Sequence, residues 1–278
     1  MAVTRLQNYV NGEWVDATAG RCNEIINPAH GTLLCEAPVS SQADMDLAIH
    51  AAEEAFQDWR NTPPVARARY LHRLIALMEE NFNELSITQT LEHGKTIDES
   101  RGETRRGIEM LEVASGIPSL MQGFNLEDIA HGIDEVAFYQ PMGVFGCIAP
   151  FNFPLMVPLW FLPFAIACGN TFVVKSSPRT PMSQAAFFKL LDEVGLPPGV
   201  ASLVNGETEG AKLKLDGRRL NLVGDLPEAC FLNPTVLESV QPDMTCAMEE
   251  IFGPVACVLR AKNLEEAIDI IHRNPYGN

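Results

Sequence analysis

The chain has 278 residues, 46% of them hydrophobic, enough for one large domain or two ordinary ones around a substantial core. A formal net charge of −16 excludes a protein that works by neutralising nucleic-acid phosphates, which needs clustered Lys and Arg. Its 20 glycines and 19 prolines are spread along the chain, which excludes a collagen-like or low-complexity architecture. The opening segment has no apolar run after Arg5 and gives no secretory signal. The seven cysteines (Cys22, Cys35, Cys147, Cys168, Cys230, Cys246 and Cys257) show no CxxC or zinc-ligand spacing. An odd number in a large apolar chain predicts free thiols, no metal site and a reducing, cytoplasmic setting.

Residues 5–37 alternate short apolar runs with turn dipeptides, and 8–15 read as a hairpin with Asn11-Gly12 in its turn. A helix follows over 41–60, with Met45, Ile49, Ala52 and Phe56 at helical spacing and Ser41 as its cap. Pro63-Pro64 punctuates the chain, then a second long helical stretch, interrupted part-way, covers 66–95. Residues 97–122 are helical again and end near Gly123. Strand character returns over 136–148. Residues 143–174 carry no charge and are long enough to cross a bilayer, but Pro150, Pro154, Pro158 and Pro163 break that helix, and Asn152 and Asn170 need polar partners. The expectation is a buried strand–helix–strand unit and no membrane span.

Phe172–Val174 form the next strand, ending at Lys175. Residues 183–195 make an amphipathic helix closed by Gly195, and 201–204 a third strand. This β-α-β-α-β order predicts a parallel sheet with crossover helices. After Val204 the pattern stops, and 205–225 are polar and turn-rich. Strands are read again within 231–240 and 249–261, and a helix over 264–274. A parallel sheet whose alternation stops short leaves faces and edges without cover, so aggregation or partial disorder is expected around 205–230.

Several segments carry a resemblance. They are the uncharged stretch from Pro141 to Ser177 with Pro150-Phe151-Asn152-Phe153-Pro154 inside it, Glu92-His93-Gly94-Lys95, Gly116-Ile117-Pro118, Gly132-Ile133-Asp134 and Asn274-Pro275-Tyr276-Gly277-Asn278. In order and spacing they resemble the aldehyde dehydrogenase superfamily, from about residue 7 to 206 and from about 209 onward. Within it the chain is most similar to the CoA-acylating, NAD-dependent methylmalonate-semialdehyde type. The resemblance implies an α/β fold with a Rossmann-type parallel sheet and helices on both faces, in an incomplete form. Residues 1–135 would hold the N-terminal hairpin and helices of the cofactor domain, 136–210 the βαβ cofactor-binding core, and 211–278 a return segment after a missing catalytic domain.

The resemblance also implies roles. Asn152 would help form an oxyanion hole, although by residue type alone it is also a turn-capping Asn between two prolines. The main-chain groups of Ala149 and Phe151 would line the nucleotide cleft. Lys175 would contact the adenosine ribose; by itself it is an ordinary strand-terminal Lys. The family usually continues Lys-Pro-Ser-Glu, whereas this chain has Lys175-Ser176-Ser177-Pro178-Arg179. Pro178 cannot accept the ribose hydroxyls and Arg179 suits a 2′-phosphate, so NADP stands beside NAD as a cofactor. Glu250 and Phe252 match the pair that holds the nicotinamide ribose and ring. Arg106 matches the Arg that faces a substrate carboxylate, against a surface-helix reading of the same residue. His93, at a helix end, is read as structural.

By the resemblance, the family's nucleophile is a cysteine in a Gly-Gln-x-Cys-like loop; that loop, with the Gly-Ser-Thr and Glu-Leu-Gly-Gly segments, is expected to be skipped at the junction between Gly206 and Gly210, and the C-terminal arm is not matched after Asn278. Cys246 lies outside the matching loop, and Cys147 and Cys168 sit in apolar runs that predict buried, inert thiols. The parent activity is oxidation of methylmalonate or malonate semialdehyde, a small-molecule partner, with CoA as acyl acceptor in a homo-oligomer. This chain itself is expected to be an inactive or nearly inactive enzyme. The other reading is a catalytically dead remnant that binds nucleotide or associates with full-length subunits.

Overall fold

The computed structural model describes residues 4–206 and 235–274, which fall into two compact units divided between Lys212 and Leu213. In the first unit, β1 (Asn8–Val10) and β2 (Glu13–Val15) form the expected hairpin. Asn11 and Gly12 both have positive φ, 53° and 79°, the backbone that a tight two-residue turn requires and that Asn-Gly supplies. A second antiparallel pair, β3 (Cys22–Ile26) and β4 (Leu33–Pro38), follows.

Helix α1 (Gln42–Trp59) starts in a capping box. The Asp44 N–H donates to Ser41 Oγ, and the Ser41 N–H donates back to Asp44 Oδ2 at 2.7 Å. Its buried face runs through Ala48, Ala52 and Phe56 to Trp59, with Met45 and Ile49 half-buried beside it. Ser41→Ala is expected to cost about 1 kcal/mol, read as a shift in urea midpoint at unchanged m-value.

The long helical stretch is two helices, α2 (Pro64–Glu80) and α3 (Phe82–His93), broken at Asn81, whose side chain donates to Leu77 O at 2.8 Å. Helix α4 (Ile97–Ser115) and the short α5 (Ile117–Leu120) complete the helical layer. The chain then forms an exposed hairpin, β5 (Phe124–Ala130) and β6 (Ile133–Ala137), where the sequence suggested only one strand starting at 136. Then come β7 (Val144–Ile148), α6 (Met156–Ala167), β8 (Thr171–Lys175), α7 (Met182–Val194) and β9 (Ala201–Val204).

Helix α6 runs through both of its prolines. Pro158 lies in the first turn, where the N–H has no intrahelical acceptor to lose. Pro163 does forfeit a bond, and burial of Leu159, Leu162 and Ile166 in the core offsets it. Among the described residues no helix is long and apolar enough to cross a membrane.

The main sheet has the order β2-β1-β9-β8-β7, with the last three strands parallel and β1 antiparallel to β9. Strand alternation sorts its two faces. Val173 and Val204 pack on Ala48 and Ala52 of α1. Phe172, Val174 and Leu203 join the main core with Leu159 and Leu162 of α6 and Phe187 and Phe188 of α7. The mixed α/β class, the parallel strands and the helices on both faces are as expected. Central β8 is buried along its whole length, whereas edge strand β7 leaves Phe145 and Ile148 exposed.

The second unit contains β10 (Thr235–Glu238) paired in parallel with β11 (Val255–Val258), a short α8 (Thr245–Met248), and α9 (Leu264–Arg273) capped by Asn263. The expectation for residues 205–230 lies, from 207 onward, outside the described residues, as does Cys230.

Candidate functional site

The turn between β7 and α6, residues 149–155, carries Ala149, Phe151 and Asn152, and side chains from elsewhere hold the carbonyls of Phe151, Asn152 and Pro154 and the N–H of Leu155. Lys95 Nζ donates to Asn152 O at 2.7 Å and to Glu103 Oε2 at 2.5 Å. Both side chains of this ion pair are buried, at 7% and 1% exposure. The other oxygen of Glu103 accepts the N–H groups of Leu155 and Met156 at 2.9 and 3.0 Å, the free donors of the α6 N-terminus. Thr180 Oγ1 donates to Phe151 O at 3.3 Å, and Gln184 Nε2 donates to Pro154 O.

Rings and cations clamp the same turn from the side. His93 stacks on Phe151 with centroids 5.9 Å apart, and the Arg179 guanidinium lies 4.9 Å from the centre of that ring. Lys95 Nζ is 4.7 Å from the Phe153 ring centre. Burial first, then the Lys95 cation, pushes the His93 imidazole down to about 4, so it is neutral at physiological pH. With backbone and rings so engaged, the side-chain amide of half-buried Asn152 makes no hydrogen bond among the described residues.

Asn152, Lys95, His93, Glu99, Phe153 and Arg106 line one open cleft of about 490 Å³. Arg106 is 69% exposed there and pairs with Glu109 at 3.4 Å, a solvated contact that a ligand carboxylate can displace. The structure thus brings Arg106 and Asn152 to the same cleft.

Lys175 and Arg179 mark the C-terminal end of β8, where ligands gather in open α/β sheets. Lys175 is buried. Its carbonyl accepts the Ala149 N–H at 2.9 Å, so that N–H closes the β7–β8 ladder and is spent. Three buried polar atoms around the Phe151 turn have no partner among the described residues: Arg179 Nη2, Gln184 Oε1 and His93 Nδ1. Orphaned buried donors and acceptors are costly unless a ligand or water takes them, so these three atoms leave unused hydrogen-bonding capacity beside the strand end. In the second unit, Glu250 and Phe252 are both exposed, Phe252 at 62%.

Three residues that shape the site were given no such role by the sequence. Glu103 reads as one more charge on a polar helix. Lys95 stands inside a motif without an assigned partner. Glu92 is buried and reaches across to cap α7, accepting from the N–H groups of Met182 at 2.6 Å and Ser183 at 2.9 Å. The signal available for Glu92 and Glu103 was an acid on the buried stripe of a helix, whereas Lys95 lies in the short link between α3 and α4 and offers no such periodic signal.

Of the described thiols, Cys35 is fully buried and pushed up to about 12 by burial and then by Glu92. Burial also raises Cys147 and Cys168. Among the described residues no group of acids, histidines and cysteines is placed to hold a metal ion.

The aldehyde dehydrogenase family model matches residues 14–209 and 205–278. The malonate-semialdehyde dehydrogenase of Bacillus pumilus (strain SAFR-032) is 44% identical over 233 residues, covering 83% of this chain and 48% of the relative. Malonate-semialdehyde dehydrogenase 2 of Geobacillus kaustophilus (strain HTA426) is 46% identical over 236 residues, 84% of this chain and 49% of the relative. The chain therefore spans about half the length of the curated relatives it matches. Among solved structures, methylmalonate-semialdehyde dehydrogenase from Oceanimonas doudoroffii superposes with a TM-score of 0.91 at 28% identity, over 99% of this chain and 84% of that one. A Sinorhizobium meliloti 1021 protein described as a methylmalonate-semialdehyde dehydrogenase, complexed with NAD, gives 0.90 at 27% identity, over 100% and 84%. This chain belongs to the aldehyde dehydrogenase family.

Proposed function

We propose that the chain carries the nucleotide-binding and aldehyde-facing share of a malonate- or methylmalonate-semialdehyde dehydrogenase, without a competent nucleophile of its own. The observation that supports this best is the immobilised Asn152 turn sharing a cleft with Arg106. A fixed amide N–H stabilises charge as it develops on a carbonyl oxygen. A guanidinium fork across the same cleft suits the carboxylate that distinguishes a semialdehyde acid from a simple aldehyde.

Bound NAD or NADP supplies the hydride acceptor. Lys175 and Arg179 would hold its adenosine ribose, the carbonyls of Ala149 and Phe151 would line its path, and Glu250 and Phe252 would serve the nicotinamide end. With no carboxylate between Lys175 and Arg179, and an unpartnered Arg179 nitrogen, a 2′-phosphate is as well served as free ribose hydroxyls. Arg179→Glu is expected to weaken NADPH binding roughly tenfold while changing NADH binding much less, measured by nicotinamide fluorescence titration. Equal losses for both would remove Arg179 from the 2′-phosphate role.

Thiolate, not thiol, attacks an aldehyde, and the raised thiols of Cys35, Cys147 and Cys168 are poor candidates. The two-segment family match, meeting at residues 205–209, supports a chain that lacks the family's central catalytic block. CoA as the acyl acceptor, homo-oligomeric assembly and a cytoplasmic setting are proposed for the complete enzyme. The purified chain, given NAD, CoA and malonate semialdehyde, is expected to form no NADH at high protein concentration while still binding nucleotide. Turnover retained by Cys246→Ser would sink the missing-nucleophile reading. Absence of nucleotide binding would leave a remnant that acts, if at all, by associating with full-length subunits.

A further inference from the structure

Two thiols in the second unit stand against each other. Cys257, within β11, donates from Sγ to the carbonyl of Cys246 in α8 at 3.3 Å, which makes the two cysteines direct neighbours. Both are free and half-buried, so both retain access to a small oxidant. Between them runs the Glu249–Pro254 segment, which carries Glu250 and Phe252. Elsewhere among the described residues, Cys35 is sealed in the core.

We propose that Cys246 and Cys257 are a modification site: a hydroperoxide, hydrogen peroxide being the simplest, converts them to an intrachain disulfide that ties α8 to β11 and closes the Glu249–Pro254 segment into a ring. One thiolate attacks a peroxide oxygen. The S–O bond forms, the O–O bond breaks, and hydroxide leaves and takes up a proton as water. The second thiol then attacks that sulfur, the S–S bond forms, and the hydroxyl departs as a second water. The two electrons lost by the sulfur pair are those gained by the peroxide. Neighbouring thiols favour this outcome, because the resolving thiol meets the sulfenic acid before a second peroxide does.

The test is peptide mapping of the full chain after brief exposure to hydrogen peroxide and alkylation of the remaining thiols. A glutamyl endoprotease cutting after Glu238, Glu249, Glu250 and Glu265 releases Cys246 and Cys257 on separate peptides, and the cut after Glu238 also separates Cys230 from both. The expected result is a monomer about 2 Da lighter, with the Cys246 and Cys257 peptides joined and separated again by dithiothreitol. Linking is expected to be faster at about pH 9 than at about pH 7, since the attacking species is a thiolate. Cys246→Ser and Cys257→Ser should each abolish the link. A disulfide to Cys230, a disulfide between chains, or sulfinic acids at both positions without a link would overturn the proposal. The mapping of the unsubstituted chain decides it even if a variant fails to fold.

Discussion

Glu103→Ala is expected to lower the stability of the first unit by about 3–5 kcal/mol, the range for removing one partner of a buried, hydrogen-bonded ion pair. Three losses coincide. Lys95, at 7% exposure, is left as an uncompensated buried cation. The N–H groups of Leu155 and Met156 lose their acceptor at the start of α6. The turn carrying Asn152 then hangs from a lysine that no longer has a fixed position. For a unit of this size each kcal/mol moves the melting midpoint by roughly 2–4 °C, so the drop should be about 6–20 °C.

Lys95→Met should cost a similar amount by stranding Glu103, and the double variant should cost less than the sum, because the two residues share one network. Lys95→Arg keeps the charge but not the compact tetrahedral donor, and should recover only part of the loss. The measurement is thermal denaturation followed by tryptophan fluorescence, with Trp160 on α6 as a local reporter. A Glu103→Ala chain melting within a degree of the parent would show that the pair has no part in holding the turn.

How far the sequence carried this picture depended on whether the determining contacts were local. Helix α1 was legible because Ser41 and Asp44 lie three residues apart and its apolar positions keep the helical period. The Asn11-Gly12 turn was legible because only such residues accept that backbone. The β5–β6 hairpin was not. Its strands are exposed along almost their whole length, so apolar and polar residues need not alternate, and Phe124, Leu126 and Ile129 carry no period.

Pro158 and Pro163 argue against one long span over 143–174, and the structure has the shorter strand–helix–strand unit instead, with both prolines inside its helix. They argue against a helix in isolation, but a first-turn position and a fully packed setting tolerate them. The site divides the same way. Asn152 and Arg106 were picked out by motif, whereas the Lys95–Glu103–Asn152 harness needs three chain segments brought together, which no local pattern encodes.

A second large effect is expected from pH, with two adjacent residues pulling in opposite directions. Glu92 has an ordinary value of 4.5 and is raised to about 7, because burial outweighs the Ser183 and Met182 donors. Between those values the native state keeps a proton that the unfolded chain has released. Its contribution is therefore fully present below about pH 4.5 and is lost as pH rises through 7, a change on the order of 3 kcal/mol. His93 has an ordinary value of 6.5 and is lowered to about 4. The unfolded chain binds a proton that the native state refuses, so its contribution is present above 6.5 and is lost as pH falls through 4. His93 is only partly buried, so its effect is screened and smaller.

The windows overlap, and the parent should show only a shallow fall in stability from about pH 4.5 to about pH 7. His93→Phe removes the opposing contribution and should steepen that fall. Glu92→Gln should reverse the sign of the slope, leaving stability rising from about pH 4 to about pH 6.5. Asp44, Glu79 and Glu99, all held below the usual carboxylate range by their hydrogen bonds, lose their contributions only at more acid pH and leave this window clear. Urea midpoints across the range read the slopes directly. A Glu92→Gln chain with the parent's slope would mean that Glu92 is ionised throughout, as its three donors alone would dictate.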